Sequence, residues 1–148
     1  MKAAVIAVVV AALSLAVAAT ALGGSAAREA KVATGPSSLG RIVVDGRGHT
    51  LYLFEKDRRG RSTCSGACAA YWPPLLTRGK PIAIKGAKSS LLGSIRRSGG
   101  ARQVTYAGHP LYLFSGDTRR GQTSGEGLAD FGAGWYALTP SGKKIDRD

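Results

Sequence analysis

Gly48-His49-Thr50-Leu51-Tyr52-Leu53-Phe54-Glu55-Lys56-Asp57 and Gly108-His109-Pro110-Leu111-Tyr112-Leu113-Phe114-Ser115-Gly116-Asp117 are two versions of one motif. Leu-Tyr-Leu-Phe recurs letter for letter, Gly-His precedes it, and an Asp follows the Phe by three residues. Side chains alternate across a strand, so Leu51 and Leu53 share one face while Tyr52 and Phe54 share the other. Both faces are apolar or aromatic, which marks a strand covered on two sides. Tyr52, Phe54, Tyr112 and Phe114 are then core, or else a paired aromatic surface. In either case a buried phenol needs a hydrogen-bond partner.

Outward from the motif the same order of elements appears twice. Leu39-Gly40-Arg41-Ile42-Val43-Val44 reads as a strand, Asp45-Gly46-Arg47-Gly48 as a hairpin turn, and His49 to Phe54 as the next strand. Residues 55–66 are a polar loop, and Ala67 to Trp72 a short helical turn stopped by Pro73-Pro74. In the second copy Leu92-Gly93-Ser94-Ile95 corresponds to Leu39-Gly40-Arg41-Ile42. Val104-Thr105-Tyr106, the turn Ala107-Gly108 and the strand His109 to Phe114 follow. Asp57-Arg58-Arg59-Gly60 parallels Asp117-Thr118-Arg119-Arg120-Gly121 with one inserted residue, and Tyr71-Trp72 is echoed by Trp135-Tyr136. Identity of this density signals internal duplication, with each unit unable to bury its apolar face alone. The expected fold is mainly β: a single compact domain of two divergent β-hairpin-containing repeats, with long loops and little helix. Residues 39–76 form the first repeat and 91–142 the second.

The chain of 148 residues opens with Lys2, an uncharged Ala-, Val- and Leu-rich run from Ala3 to Leu22, and small residues from Gly23 to Ala27. That order is the signature of a secretory signal peptide over residues 1–26, and it predicts an extracytoplasmic address, secreted or in the cell envelope. No later segment is long and apolar enough to span a membrane once the signal is removed. Residues 27–38, with Thr34-Gly35-Pro36-Ser37-Ser38, read as a linker. The formal charge is +12. Outside the cytoplasm such a charge suits anionic envelope polymers or lipids, and the export signal makes nucleic acid a poor partner.

The motif set resembles the bacterial secreted-repeat proteins, also described as predicted lipoproteins with a Yx(F/W/Y)xxD motif. The resemblance rests on Leu51-Tyr52, Phe54 and Asp57, then Ser62-Thr63-Cys64-Ser65-Gly66-Ala67-Cys68 and Trp72-Pro73-Pro74-Leu75. In the second half it rests on Gly108-His109-Pro110-Leu111-Tyr112, Phe114, Gly116-Asp117 and Trp135-Tyr136. It covers residues 38–142 and implies an exported repeat fold, without implying a reaction. The lipidation Cys of the lipoprotein members is missing, so a lipid anchor does not carry over.

Few residues offer chemistry. Cys64 and Cys68 are the two cysteines, and in an exported chain an even pair reads first as a disulfide. Their spacing is not that of a C-x-x-C redox pair. The two histidines, His49 and His109, hold the same place in each repeat, and with the cysteines they could supply a zinc or copper site if the repeats brought them together. Asp57 and Asp117 could pair as general acid and base, or could simply bond their own turns. Arg58 and Arg59, with Arg119 and Arg120 in the twin loop, are candidate anion-binding residues, since guanidinium forks suit phosphate and carboxylate. No nucleophile motif or phosphate-cradling loop is present. The sequence therefore favours a non-enzymatic binding or structural module without a cofactor. A metal- or redox-linked periplasmic accessory protein is the second reading.

Overall fold

Short strands separated by turns run through the structure, a computed structural model that describes residues 28–146. The segment read as a signal peptide lies outside the described residues. The first strand, β1 (Lys31–Ser37), pairs antiparallel with β2 (Gly40–Asp45), Ser37 facing Gly40 and Val32 facing Asp45. The stretch read as a linker is therefore mostly strand. Val32, Ala33 and Thr34 are buried. Pro36 is tolerated because it lies past the last bond on the strand's other side, Thr34 N to Lys85 O, so its missing N–H breaks no ladder.

The remaining elements are β3 (Tyr52–Phe54), α1 (Ala67–Tyr71), β4 (Leu76–Thr77), β5 (Ile82–Ala83), β6 (Leu92–Arg96), β7 (Arg102–Tyr106), β8 (His109–Pro110) and β9 (Trp135–Ala137). They make three small sheets. In one, β1 lies between β2 and β5; in the second, β3 pairs with β9; in the third, β7 lies between β4 and β6 and also pairs with β8. Mainly β with one short helix is the architecture the repeats predict. The register of the repeats needs one correction. The strand that leads into the first motif is β2, and the strand that leads into the second is β7. The partner of β2 within the first hairpin is β1, and that of β7 is β6. Hence β6 corresponds to β1, and Leu92-Gly93-Ser94-Ile95 is not the counterpart of Leu39-Gly40-Arg41-Ile42. The first copy begins with β1, ahead of Leu39.

Both turns into the motif have a local cause. Asp45 is buried, and its Oδ1 accepts the N–H groups of Arg47 and His49 at 2.9 Å each. Ala107 and Gly108 both adopt the left-handed region, φ 50° and 83°, the conformation a tight two-residue hairpin turn requires.

The alternation within the motif divides the core. Leu51, Leu53 and Leu111 pack with Val43, Val104 and Leu138 on one side. Tyr52, Phe54 and Tyr112 pack with Trp72 and Trp135 on the other. There four rings form one column. Phe54 stacks on Trp135 at 4.0 Å, Trp135 on Trp72 at 3.9 Å, and Trp72 on Phe114 at 4.4 Å. Tyr52 meets Trp72 edge-on at 5.4 Å, and Tyr112 meets Trp135 edge-on at 5.1 Å. Each copy contributes one Tyr, one Phe and one Trp. These rings are core, and the reading of Tyr52 and Tyr112 as an aromatic surface falls away.

Candidate functional site

The two motifs meet at their tyrosines. Tyr52 N donates to Tyr112 O at 2.8 Å, and Tyr112 N donates to Tyr52 O at 3.0 Å. This reciprocal pair marks a pseudo-twofold axis, and the chain on either side follows it. Glu55 N bonds Gly134 O, ahead of Trp135, while Ser115 N bonds Tyr71 O, ahead of Trp72. Each copy's closing segment thus pairs with the other copy's motif.

The carboxylates are exchanged in the same way. Tyr52 Oη donates to Asp117 Oδ2 at 2.6 Å, and Tyr112 Oη donates to Asp57 Oδ2 at 2.6 Å. Short bonds to a charged acceptor are the strong ones. The other carboxylate oxygen serves its own loop. Asp57 Oδ1 takes Thr63 N at 2.7 Å and Thr63 Oγ1 at 2.9 Å, and Asp117 Oδ1 takes Ser124 N at 2.9 Å. Burial first, then the facing carboxylate, pushes both phenols well above the ordinary tyrosine range. They stay protonated and donate. Asp57 and Asp117 do bond within their own turns, as the sequence suggests, and each also anchors the opposite copy.

The two phenols differ in their second partner. Tyr52 Oη accepts the N–H of Gly125 at 3.2 Å. Tyr112 Oη lies 2.7 Å from Ser62 Oγ, which also accepts from Arg97 Nη1 at 2.8 Å. Arg97 further donates to Gln103 Oε1 and to Cys64 O, both at 2.7 Å. Arg97 and Gln103 escape sequence reasoning, because they lie outside the repeated motif. Thr63 and Ser124 leave a faint signal: they follow their Asp by six and seven residues, repeating the one-residue insertion between the loops.

Cys64 and Cys68 form a disulfide, as the sequence suggests, across the start of α1. The histidines do not join them. His49 lines a cleft with Phe114 and Asp117, and His109 lines another with Phe54 and Asp57. Burial lowers His109 from its ordinary value, Arg59 lowers it further, and Asp57 opposes both. Among the described residues no three His, Cys, Asp or Glu side chains are placed to hold a metal ion together.

The basic loops cross to the opposite copy. The Arg59 side chain lies over Gly108, where a Cβ would meet its Cγ at 3.5 Å. Arg120 lies over Gly48, where a Cβ would meet its Cγ at 3.1 Å. Arg58, Arg59, Arg119 and Arg120 are all exposed. Among the described residues, Arg47 and Lys144 are the two Arg or Lys side chains that form ion pairs. Four carboxylates are turned to uncharged or local partners: Asp57 and Asp117 to the phenols, Asp45 to its turn, and Glu126 to Ala137 N at 2.7 Å. Among the described residues no helix is long and apolar enough to cross a membrane.

A family model described as a secreted repeat of unknown function matches twice, over residues 33–76 and 93–139. The first match begins within β1 and the second within β6, in agreement with the corrected register. No curated protein and no solved structure matches the chain. With both matches together covering more than half of its length, the chain belongs to this family of secreted repeats of unknown function, an extracytoplasmic protein carrying two interlocked copies.

Proposed function

We propose that the protein is a non-enzymatic binding module that engages anionic envelope polymer or lipid through its two basic loops, Arg58-Arg59 and Arg119-Arg120. One observation carries this reading: the Asp at the head of each loop is committed to a tyrosine of the other copy, so the guanidinium groups beside it stand exposed and form no ion pair among the described residues. The same commitment argues against acid–base work by Asp57 and Asp117, whose oxygens are already bonded. Duplication places equivalent cations at two related positions, which suits a ligand that repeats its charge. A basic residue near an anionic surface contributes about 1 kcal/mol, so neutralising all four costs up to roughly 4 kcal/mol, about a thousandfold in affinity. Sedimentation with anionic vesicles and with purified anionic wall polymer, at rising salt, tests this. The quadruple Arg→Gln variant should lose most of the salt-sensitive binding. Unchanged binding in a folded variant would remove the loops from the mechanism.

A further inference from the structure

Between the turn of the β6–β7 hairpin and the loop after Arg59 lies a cleft of about 340 Å³. It is lined by Arg61, Arg96 and Arg97, together with Ser62, Ser65 and Ser98, and no carboxylate is among its lining residues. Arg97 is only partly exposed, and its guanidinium is fixed by three bonds, all to neutral oxygens. A guanidinium carries five N–H donors, so two of Arg97 have no partner among the described residues. It has no ion pair among the described residues. A partly buried charge without a counterion is costly, and its attraction for an anion is correspondingly stronger than that of a solvated arginine. Asp57, the carboxylate that the hydrogen-bond chain reaches, lies beyond Ser62 and Tyr112 and already accepts from Tyr112 Oη and from Thr63. Gly99 and Gly100, φ 89° and 91°, turn the hairpin so that Arg97 N can bond Ala101 O at 2.7 Å, which fixes the arginine's backbone as well.

We propose that this cleft is a binding site for a phosphate-type oxyanion. Three arginines from two chain segments line it, and the hydroxyls of Ser65 and Ser98 add neutral donors, the Ser62 proton being committed to Tyr112 Oη. A tetrahedral oxyanion presents acceptors in several directions and can take forks from more than one arginine, whereas a planar carboxylate matches a single fork. Arg97 supplies the preorganised contact, and the exposed Arg61 and Arg96 close over the anion. The first copy has no equivalent: its hairpin turn is Ser37-Ser38-Leu39-Gly40. The site therefore exists once per molecule and does not depend on Arg58, Arg59, Arg119 or Arg120.

The test is a titration of the purified full chain with inorganic phosphate at constant ionic strength, read by calorimetry and by amide shifts of Ser98, Gly99 and Gly100. Saturable shifts are expected with phosphate and none with chloride. The Arg61→Gln/Arg96→Gln variant touches only exposed side chains and should weaken binding about tenfold or more, while Arg58→Gln/Arg59→Gln should leave it within about twofold. Parallel arms with phosphatidylglycerol vesicles and a soluble glycerol phosphate polymer, each compared between wild type and Arg61→Gln/Arg96→Gln, identify which carrier presents the group. Shifts that chloride reproduces, or equal phosphate affinity in both variants, overturn the site. Loss of envelope binding in the loop variant with phosphate binding intact would leave the two proposals separately resolved.

Discussion

Replacing Tyr52 with Phe removes one hydroxyl and disturbs two partners in the opposite copy. Asp117 Oδ2 loses its 2.6 Å donor, and the buried Gly125 N–H loses its acceptor. A hydrogen bond to a charged group contributes about 1.5–3 kcal/mol, and stranding a buried amide costs about 1–3 kcal/mol, so a loss of about 2.5–6 kcal/mol is expected. Against a total stability of about 5–15 kcal/mol for a domain of this size, that is a large fraction. The informative measurement is a pair of double-mutant cycles in urea, followed by the fluorescence of the buried Trp72 and Trp135. Tyr52→Phe combined with Asp117→Ala should show a coupling of about 1.5–3 kcal/mol, since each change removes the same bond. Tyr52→Phe combined with Asp57→Ala, the Asp of its own copy, should be additive within about 0.5 kcal/mol, because the two share no side-chain partner. Strong coupling to Asp57 with none to Asp117 would refute the exchange and return each Tyr–Asp pair to a single copy.

Gly125→Ala should destabilise the fold by about 1–3 kcal/mol through overpacking, measured by thermal or urea unfolding, since the added Cβ would lie 2.7 Å from Trp72 Cη2 and 3.0 Å from Tyr52 Cζ. Stability should also fall above about pH 10, where unfolded tyrosines ionise while folded Tyr52 and Tyr112 keep their protons. The native state then binds more protons than the unfolded state, so unfolding gains as pH rises. Urea midpoints measured across that range should flatten in Tyr52→Phe/Tyr112→Phe relative to wild type.

Much of the fold was legible because its signals are local. Leu51-Tyr52-Leu53-Phe54 assigns a strand and both of its faces, and the structure divides the core along that alternation. Pro73-Pro74 ends α1, and Ala107-Gly108 makes the turn. β1 was hidden because Gly35-Pro36-Ser37-Ser38 has the composition of a linker. Its strand character comes from tertiary pairing with β2 and β5, which no local propensity encodes. The exchange of carboxylates was hidden for a different reason. Two identical motifs related by a twofold axis give the same sequence whether Tyr52 meets Asp57 or Asp117. Only the closure of the chain about Asp57, whose N–H bonds Phe54 O and whose Oδ1 is taken by Thr63, presents the carboxylate to the other copy's phenol.

Exchange also explains how the copies could diverge without coming apart. The conserved demand at each clasp is a protonated phenol facing a carboxylate, and the phenol's second partner is free to vary. At Tyr52 a backbone N–H fills that place, which requires Gly125 to lie against Trp72 and suits a Gly-rich segment. At Tyr112 a Ser hydroxyl fills it, and that hydroxyl is positioned by Arg97 and by Cys64 N at 3.2 Å, beside the disulfide. One solution is built from backbone and adds no side-chain function. The other brings a guanidinium to the edge of a cleft and leaves part of its donor set without a partner among the described residues. The scaffold is symmetric, and the feature that gives the molecule a single distinctive site arises where one copy met the same structural need with a charged side chain.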